Sequence, residues 1–433
     1  MQPLPNFIRR RQILLVILTF VGIFGLTIRC AYLVVTSIYS TNHGSDNANF
    51  SNFLEALAML FCASLLLPAL IYSLKRLKGQ EIPPGSIQLV KIWQVSALVV
   101  LWMIFLTAGA LLVSLFPHGW AVAAPFFLLG ISLPIFIIAW VSAGGLPVGS
   151  RQRLWSAFGF GMVGGSVASG LLEYLVVGLA ALGVGVLAIA KPELRIIIDQ
   201  VKSQVANTRA GDMQALLTVL APYLTNPIVI LAILFFAALL APMIEEAVKP
   251  AVLWFLGKRL RSPAEGFVLG AFCGAGFATL EGFLAASGAS EMWAFGLAGR
   301  AAASLMHITG SGIVGWGIAS ARLDKRYGRL VLSYLASVSI HGLWNGSAIL
   351  AVYGALRMML QNMQLDWLST IFVVGGVGML FLELVLMLAV LPLVNRSLRR
   401  SASPVIAAVQ SDIIAPPQTS PERDTNELDF KSR

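Results

Sequence analysis

The most constraining feature of this chain is a series of long apolar runs that recurs from one end to the other. A run of about twenty apolar residues is long enough to cross the hydrocarbon core of a bilayer as one helix. Inside lipid every backbone polar group needs an internal partner, so such a chain folds as a helical bundle. We therefore predict an all-α, polytopic transmembrane bundle of about ten spans. The predicted spans are 12–37, 52–73, 93–115, 120–142, 157–190, 226–256, 265–288, 298–320, 331–352 and 369–394.

The charge of the chain supports a membrane location. Only 12 % of the residues are charged, whereas soluble domains average about 25 %. The net charge is +10, but the basic residues lie between the apolar runs, where they set membrane topology. We therefore expect the lipid bilayer as a partner and no nucleic acid.

Basic residues also predict the orientation of the bundle. The connections 38–51, 116–119 and 289–297 contain no Lys or Arg, whereas the connections after the second, fourth, sixth and eighth spans are basic. Under the positive-inside rule this alternation places both termini in the cytoplasm and requires an even number of spans.

The second half of the chain carries charged and imidazole side chains within its predicted spans. A charge at the centre of a membrane helix costs about 2.5–3.5 kcal/mol on insertion scales, so such residues are functional candidates by default. They are Glu245, Glu246 and Lys249 in the sixth span, Glu281 in the seventh, Arg300 and His307 in the eighth, and His341 and Asn345 in the ninth. The other two histidines, His43 and His118, are expected in outer loops.

The predicted depths of four of these side chains agree. At 1.5 Å per residue from the cytoplasmic end of each span, Glu245 lies about 18 Å deep, Glu281 about 24 Å, His307 about 21 Å and His341 about 15 Å. The four residues come from four helices that run in alternating directions. Their common depth predicts a single site near the middle of the membrane.

Local spacing adds detail to this site. Glu245 and Lys249 share a helix face as residues i and i+4, whereas Glu246 points about 100° away. A buried structural ion pair is the alternative for Glu245 and Lys249, but it leaves Glu246 unexplained. His341 and Asn345 have the same i, i+4 spacing, for which helix packing is the alternative. Pro242 predicts a kink just before the glutamates.

Peptide hydrolysis is a reaction that these groups can perform. Glu245 or Glu246 can serve as the general base for a water molecule, and His307 can orient the water or relay the proton. His341 and Asn345 offer N–H donors for an oxyanion. The HExxH, GxSG and GxGD patterns of other membrane proteases are absent from the spans. The sequence thus favours a glutamate-based intramembrane endopeptidase.

Four short motifs carry a family resemblance over roughly residues 151–395. They are EExxK at 245–249, GFxxxE at 276–281, His307, and HxxWN at 341–345, in consecutive predicted helices. This ordered set resembles the PrsW family of intramembrane proteases. The related CAAX prenyl proteases carry FxxxH where this chain has Glu281, so that subgroup fits less well.

The resemblance implies both a site and a substrate. The implied functional residues are Glu245, Glu246, Glu281, His307 and His341, with Asn345 supporting them. We expect Lys249 and Arg300 to give electrostatic support. The implied substrate is a membrane-anchored protein such as an anti-sigma factor, and we expect the prokaryotic plasma membrane as the location.

The chain is expected to have three parts. Residues 1–150 form an N-terminal module of four membrane helices with unknown role, and residues 151–395 form the protease core. Within the core, 191–225 is expected to form one or two amphipathic helices on the outer face or a plain loop. Residues 396–433 are rich in Pro, Ser and charge, which predicts a disordered cytoplasmic tail.

Alternatives remain for the cofactor and for the function. We expect no cofactor, because no two ligands have the His-x3-His spacing common on zinc-binding helices. If zinc binds, the expected ligands are Glu246, Glu281, His307 and His341. A transporter with a midplane polar cluster or a non-catalytic scaffold are the alternative functions. Three further membrane carboxylates, Glu55, Glu173 and Glu383, have no obvious partner and are interpreted as packing or end-of-helix residues.

Overall fold

A computed structural model describes residues 6–41, 46–82, 84–116, 119–208, 213–256, 259–286, 293–361 and 366–414. These residues are almost entirely helical, which confirms the predicted all-α polytopic bundle. Within the described part, nine helices are long and apolar enough to cross a membrane. The chain is an integral membrane protein.

The first four helices form two packed pairs. They are α1 (Asn6–Thr41), α2 (Asp46–Leu77), α3 (Ile92–Leu115) and α4 (Gly119–Ala143). Helix α1 packs against α2, and α3 packs against α4. Two short strands in the connections, β1 (Pro84–Ser86) and β2 (Pro147–Ser150), form an antiparallel pair.

The fifth predicted span is one long helix with a π-helical segment inside it. Helix α5 (Arg151–Gly159) continues through π1 (Phe160–Gly165) into α6 (Ser166–Ala190). Two helices follow within 191–225, α7 (Pro192–Asn207) and α8 (Met213–Leu224), so this segment is helical as one of its alternatives proposed. Arg209 and Asp212, which lie between them, fall outside the described residues.

The sixth predicted span is broken into several pieces. It consists of α9 (Pro227–Phe235), the π-helical segment π2 (Phe236–Leu240), α10 (Ala241–Val248) and α11 (Val252–Leu256). Pro242 has no N–H, and its ring would clash with the carbonyl of Ala238 in a regular helix. The π2 segment absorbs this conflict and gives the irregularity that Pro242 predicted.

The last four helices run from α12 to α15. They are α12 (Pro263–Ala286), α13 (Trp293–Asp324), α14 (Tyr327–Leu360) and α15 (Trp367–Ile414). Helices α12 and α13 pack closely along their length. Gly270 and Gly274 of α12 contact the backbone of Ser311 and His307 of α13. Small residues allow this close approach, which places His307 next to α12.

Helix α13 is less apolar than the other predicted spans. This helix corresponds to the eighth predicted span, 298–320, but it is not among the nine apolar candidates. Most of its residues are buried, including small and polar ones such as Ser304, Thr309 and Ser311. Because α13 contacts other helices rather than lipid, it tolerates a lower apolar content.

Helix α15 also extends further than expected. It continues to Ile414, so residues 396–414 of the predicted disordered tail are helical. Asn395 donates hydrogen bonds to the carbonyls of Ser142 (2.9 Å) and Gly144 (3.0 Å), and Arg399 donates to Asn395. These bonds tie α15 to the end of α4 and support the helix beyond the apolar run. Residues 415–433 lie outside the described residues.

The N-terminal helices pack directly on α12. The ring of Phe283 lies 5.9 Å from that of Phe61 in α2 and 5.7 Å from that of Phe127 in α4. Both centroid distances fall in the range of favourable aromatic contacts. The first four helices therefore share a hydrophobic core with a helix of the candidate site.

Three predicted cytoplasmic segments meet at one end of the bundle. Arg11 donates to the carbonyl of Phe255 (3.3 Å). Arg153 donates to the carbonyl of Arg259 (2.9 Å) and forms an ion pair with Glu265 (2.7 Å). The basic segments thus share one end, as the alternation of charges requires. The assignment of that end to the cytoplasm stays a prediction.

Candidate active site

Lys249 lies at the centre of the intramembrane polar cluster. Its Nζ is 2.8 Å from Glu245 Oε2, 2.8 Å from Glu246 Oε1 and 2.8 Å from His307 Nδ1. The side chain is fully buried, and Nζ lies 4.2 Å from the ring centroid of Phe277. An ammonium group can only donate, so Nδ1 of His307 accepts and its Nε2 carries the proton.

Glu246 is enclosed by three donors. It is fully buried and accepts hydrogen bonds from Lys249 (2.8 Å), Ser337 (2.6 Å) and His341 Nδ1 (2.9 Å). This carboxylate orients the imidazole of His341, whose Nε2 lies 3.9 Å from Glu245 Oε2. The 100° offset between the two glutamates therefore gives them different environments.

Glu281 forms the other charged contact of the cluster. Its Oε2 lies 2.9 Å from Arg300 Nη2 and 2.7 Å from His307 Nε2. The Glu281 side chain is 36 % exposed, whereas that of Glu246 is 1 % exposed. Glu281 is thus an accessible carboxylate on the opposite side of His307 from Lys249.

Asn345 has a different environment from the one expected of an oxyanion donor. Its side-chain amide donates to the carbonyl of Ala237 in π2 (2.8 Å). One turn earlier on α14, Gly342 faces the carbonyl of Ala238, and a Cβ there would collide with it. Asn345 and Gly342 thus hold the irregular backbone that precedes the two glutamates.

A cavity of about 410 Å³ borders this cluster. Both Glu245 and Glu281 line it, together with residues of α6, π2 and α12. Its lining consists of Ser166, Ser169, Gly170, Glu173, Tyr174, Val177, Phe236, Glu245, Phe277, Leu280, Glu281 and Leu284. Glu246 is not part of this lining. The cavity therefore gives a ligand access to two of the three carboxylates.

Three side chains of the cluster could hold a metal ion. One ligand atom each of Glu245, His307 and His341 lies within 4.8 Å of the others. The expected metal set contained Glu246 and Glu281 in place of Glu245. The structure differs because Glu246 turns toward Ser337 and His341 Nδ1, and Glu281 toward Arg300.

The donor chemistry of these three residues fits a divalent metal. A carboxylate and two imidazoles are typical ligands of catalytic zinc. The contact of Glu246 with His341 Nδ1 is the carboxylate–histidine arrangement that orients metal-binding imidazoles. Lys249 contacts Glu245 and His307, so its ammonium group would compete with a metal for these two residues.

Sequence reasoning missed two members of the cluster. Ser337 donates to Glu246, and the ring of Phe277 packs on Lys249 and lies 5.3 Å from that of His307. A signal for Ser337 was present, since Ser337, His341 and Asn345 follow one another at four-residue spacing on one helix face.

The three carboxylates interpreted as packing or end-of-helix residues lie in different environments. Glu55 has a partner after all, since Arg29 donates to it at 2.8 and 3.0 Å. Glu383 accepts a hydrogen bond from Ser347 (3.3 Å) between α14 and α15. Glu173 lines the same cavity as Glu245 and Glu281.

Comparison with known proteins finds a protease family over the segment that carries this cluster. The family model described as "PrsW family intramembrane metalloprotease" matches residues 174–375, a segment that contains the whole cluster from Glu245 to Asn345. No curated protein and no solved structure shows significant similarity to the chain. The description as a metalloprotease favours the metal alternative over the metal-free mechanism. Residues 174–375 are thus similar to the PrsW family of intramembrane metalloproteases, and the chain is a peptidase.

Proposed function

We propose that the chain is an intramembrane endopeptidase whose reaction takes place in the cavity between α6, α10 and α12. The observation that carries this proposal is the meeting of Glu245, His307 and His341 at the edge of a cavity that Glu281 also lines. Hydrolysis within a membrane requires such a polar space, because lipid offers neither water nor partners for a peptide backbone.

We assign a divalent metal, with zinc as the best chemical fit, to Glu245, His307 and His341. When bound, such an ion polarises a carbonyl group and makes water more acidic. Glu246 keeps the imidazole of His341 in position through Nδ1. It acts as a positioning residue, because three donors already occupy its carboxylate.

We assign proton transfer to Glu281. Its carboxylate lines the cavity, is not one of the three candidate metal ligands, and lies 2.7 Å from His307 Nε2. In this role it takes a proton from the attacking water and gives one to the leaving amine. Arg300, 2.9 Å away, holds the carboxylate toward the cavity.

The family relationship supports a membrane-anchored protein as substrate. We propose an anti-sigma-factor-like protein as the type of substrate, and the prokaryotic plasma membrane as the location, from the same resemblance. A substrate segment enters from the lipid, unwinds in the cavity and exposes one peptide bond to the cluster.

Cleavage of synthetic single-span peptides by the protein in liposomes tests this assignment. We expect E281Q to lose about 100-fold or more in rate, the lower end for general acid–base catalysis. E245Q should also lose cleavage, because it removes a proposed metal ligand. E383Q is the matched control, because Glu383 is a membrane carboxylate between α14 and α15, and it should retain activity. Full activity in both E245Q and E281Q would reject the site.

Removal of divalent metal tests the cofactor assignment separately. We expect a chelator to abolish cleavage, zinc to restore it, and elemental analysis to find about one ion per chain by the three-ligand arrangement. H341A should lose that ion. Chelator-resistant cleavage by a protein without bound metal would contradict the metal assignment and leave the peptidase assignment standing.

A further inference from the structure

One face of α6 forms the cavity wall that faces the candidate catalytic residues. The six α6 residues in the lining are Ser166, Ser169, Gly170, Glu173, Tyr174 and Val177. Their spacing alternates between three residues and one, which places them on a single helix face. The rest of the lining includes Glu245 and Glu281. A substrate segment in the cavity must therefore contact this face of α6.

Glu173 differs from the other carboxylates of the cavity in its charge environment. Glu245 has Lys249 at 2.8 Å, and Glu281 has Arg300 at 2.9 Å. Glu173 is half-buried, and no residue of the described part of the chain forms a hydrogen bond or ion pair with it. A carboxylate within a membrane span is costly, so a cation supplied by a ligand would offset that cost.

The position of Glu173 along α6 defines where such a cation would lie. Gly165 packs against the backbone of Lys249, which marks the level of the catalytic cluster on this helix. Glu173 follows eight residues later (173 − 165), about 12 Å along the axis at 1.5 Å per residue. An extended peptide covers that distance in about three or four residues.

We propose that Glu173 is a specificity-determining residue that binds a lysine or arginine of the substrate, about three or four residues from the scissile bond. This inference rests on the proposed function, because it takes the cavity as the substrate site. The substrate class is then a membrane-anchored protein with a basic residue inside the apolar segment that is cut.

A lysine scan of a binding peptide tests the proposal. The probe is a fluorescent single-span peptide in which one lysine, or norleucine as the neutral counterpart, is moved through the apolar segment one residue at a time. Affinities are measured for the full chain in nanodiscs on an E281Q background, which suppresses turnover. A double-mutant cycle between lysine and Glu173 isolates their coupling.

We expect the lysine peptide to bind at least about tenfold more tightly than the norleucine peptide when the substituted residue is at one position or its neighbours. This factor is the low end of measured couplings between close charges at interfaces. E173Q should remove this preference, and E383Q, the control carboxylate, should keep it. A preference that survives when E173Q is added to E281Q, or equal affinity of all peptides for the E281Q protein, would overturn the proposal. Because the readout is binding, absence of any lysine preference together with cleavage by the parent protein would overturn this inference and leave the proposed function standing.

Discussion

At the residue scale, the neighbouring glutamates Glu245 and Glu246 have separate environments because a helix turns each residue in a new direction. Glu245 faces the cavity, whereas Glu246 is enclosed by Lys249, Ser337 and His341. A carboxylate with three donors is held in place, and its lone pairs are occupied. It can therefore position an imidazole without contacting substrate.

This division of roles predicts the effect of E246Q. The substitution removes a buried charge that Lys249 and His341 contact, and loss of one member of a buried pair costs about 3–5 kcal/mol. Thermal unfolding in detergent should show this loss of stability together with loss of cleavage. In E245Q, whose side chain borders the cavity, cleavage should fall with a smaller loss of stability. Equal thermal stabilities of E246Q and the parent protein would contradict the enclosed position.

Sequence spacing predicted the contacts within one helix of this site but not the contacts between helices. The contact between Glu245 and Lys249 follows from i, i+4 spacing, and the same rule would have found Ser337 from His341. The contact of Asn345 with Ala237 does not follow from spacing, because it depends on carbonyls that π2 turns out of the regular helical pattern. The inward face of Glu173 likewise depends on how α6 packs beside α10.

At the element scale, the irregular backbone before the glutamates determines where they point. Pro242 cannot continue a regular helix, and π2 takes up the extra residue ahead of it. Single π-helical turns are often found at functional sites. Helix α14 stabilises this segment through Asn345 and through the close approach at Gly342.

The support from α14 predicts a difference between two glycine substitutions. In G342A the new methyl group would collide with the carbonyl of Ala238, and overpacking costs about 1–3 kcal/mol. In G346A, the control one turn away, the methyl group would lie 3.6 Å from Ala238 Cβ, an ordinary contact. We expect G342A to lower thermal stability and cleavage and G346A to change neither. The reverse order would show that π2 does not depend on this contact.

The presence of the membrane helices was predictable from the sequence, but the burial of α13 among other helices was not. Its apolar content is low because it lies among other helices, and hydropathy reports contact with lipid rather than burial in protein. A sequence pattern could place His307 on this helix at the correct depth. It could not show that α12 and α13 pack closely enough to bring Phe277 against His307.

At the scale of the whole molecule, the N-terminal helices are part of the support for the site. Phe283 of α12 is buried between Phe61 of α2 and Phe127 of α4. Since α12 also carries Phe277 and Glu281, movement of this helix would displace two residues that line the cavity. The first four helices thus have a structural role in addition to any role in substrate docking.

This shared core predicts the effect of F283A. Truncation of a fully buried phenylalanine costs about 3–5 kcal/mol, so thermal unfolding should show a large loss of stability. F295A is the control, because Phe295 in α13 is 73 % exposed, and it should behave like the parent protein. Equal stabilities of the two variants would mean that α12 does not rely on the N-terminal helices.

The most direct test of the whole account is sequencing of new peptide termini in membranes of cells that produce the parent protein or E245Q in equal amounts. The account predicts at least one single-span protein that is cut within its apolar segment only when Glu245 is present. Identical sets of termini in the two membranes, with both proteins folded and inserted, would contradict it.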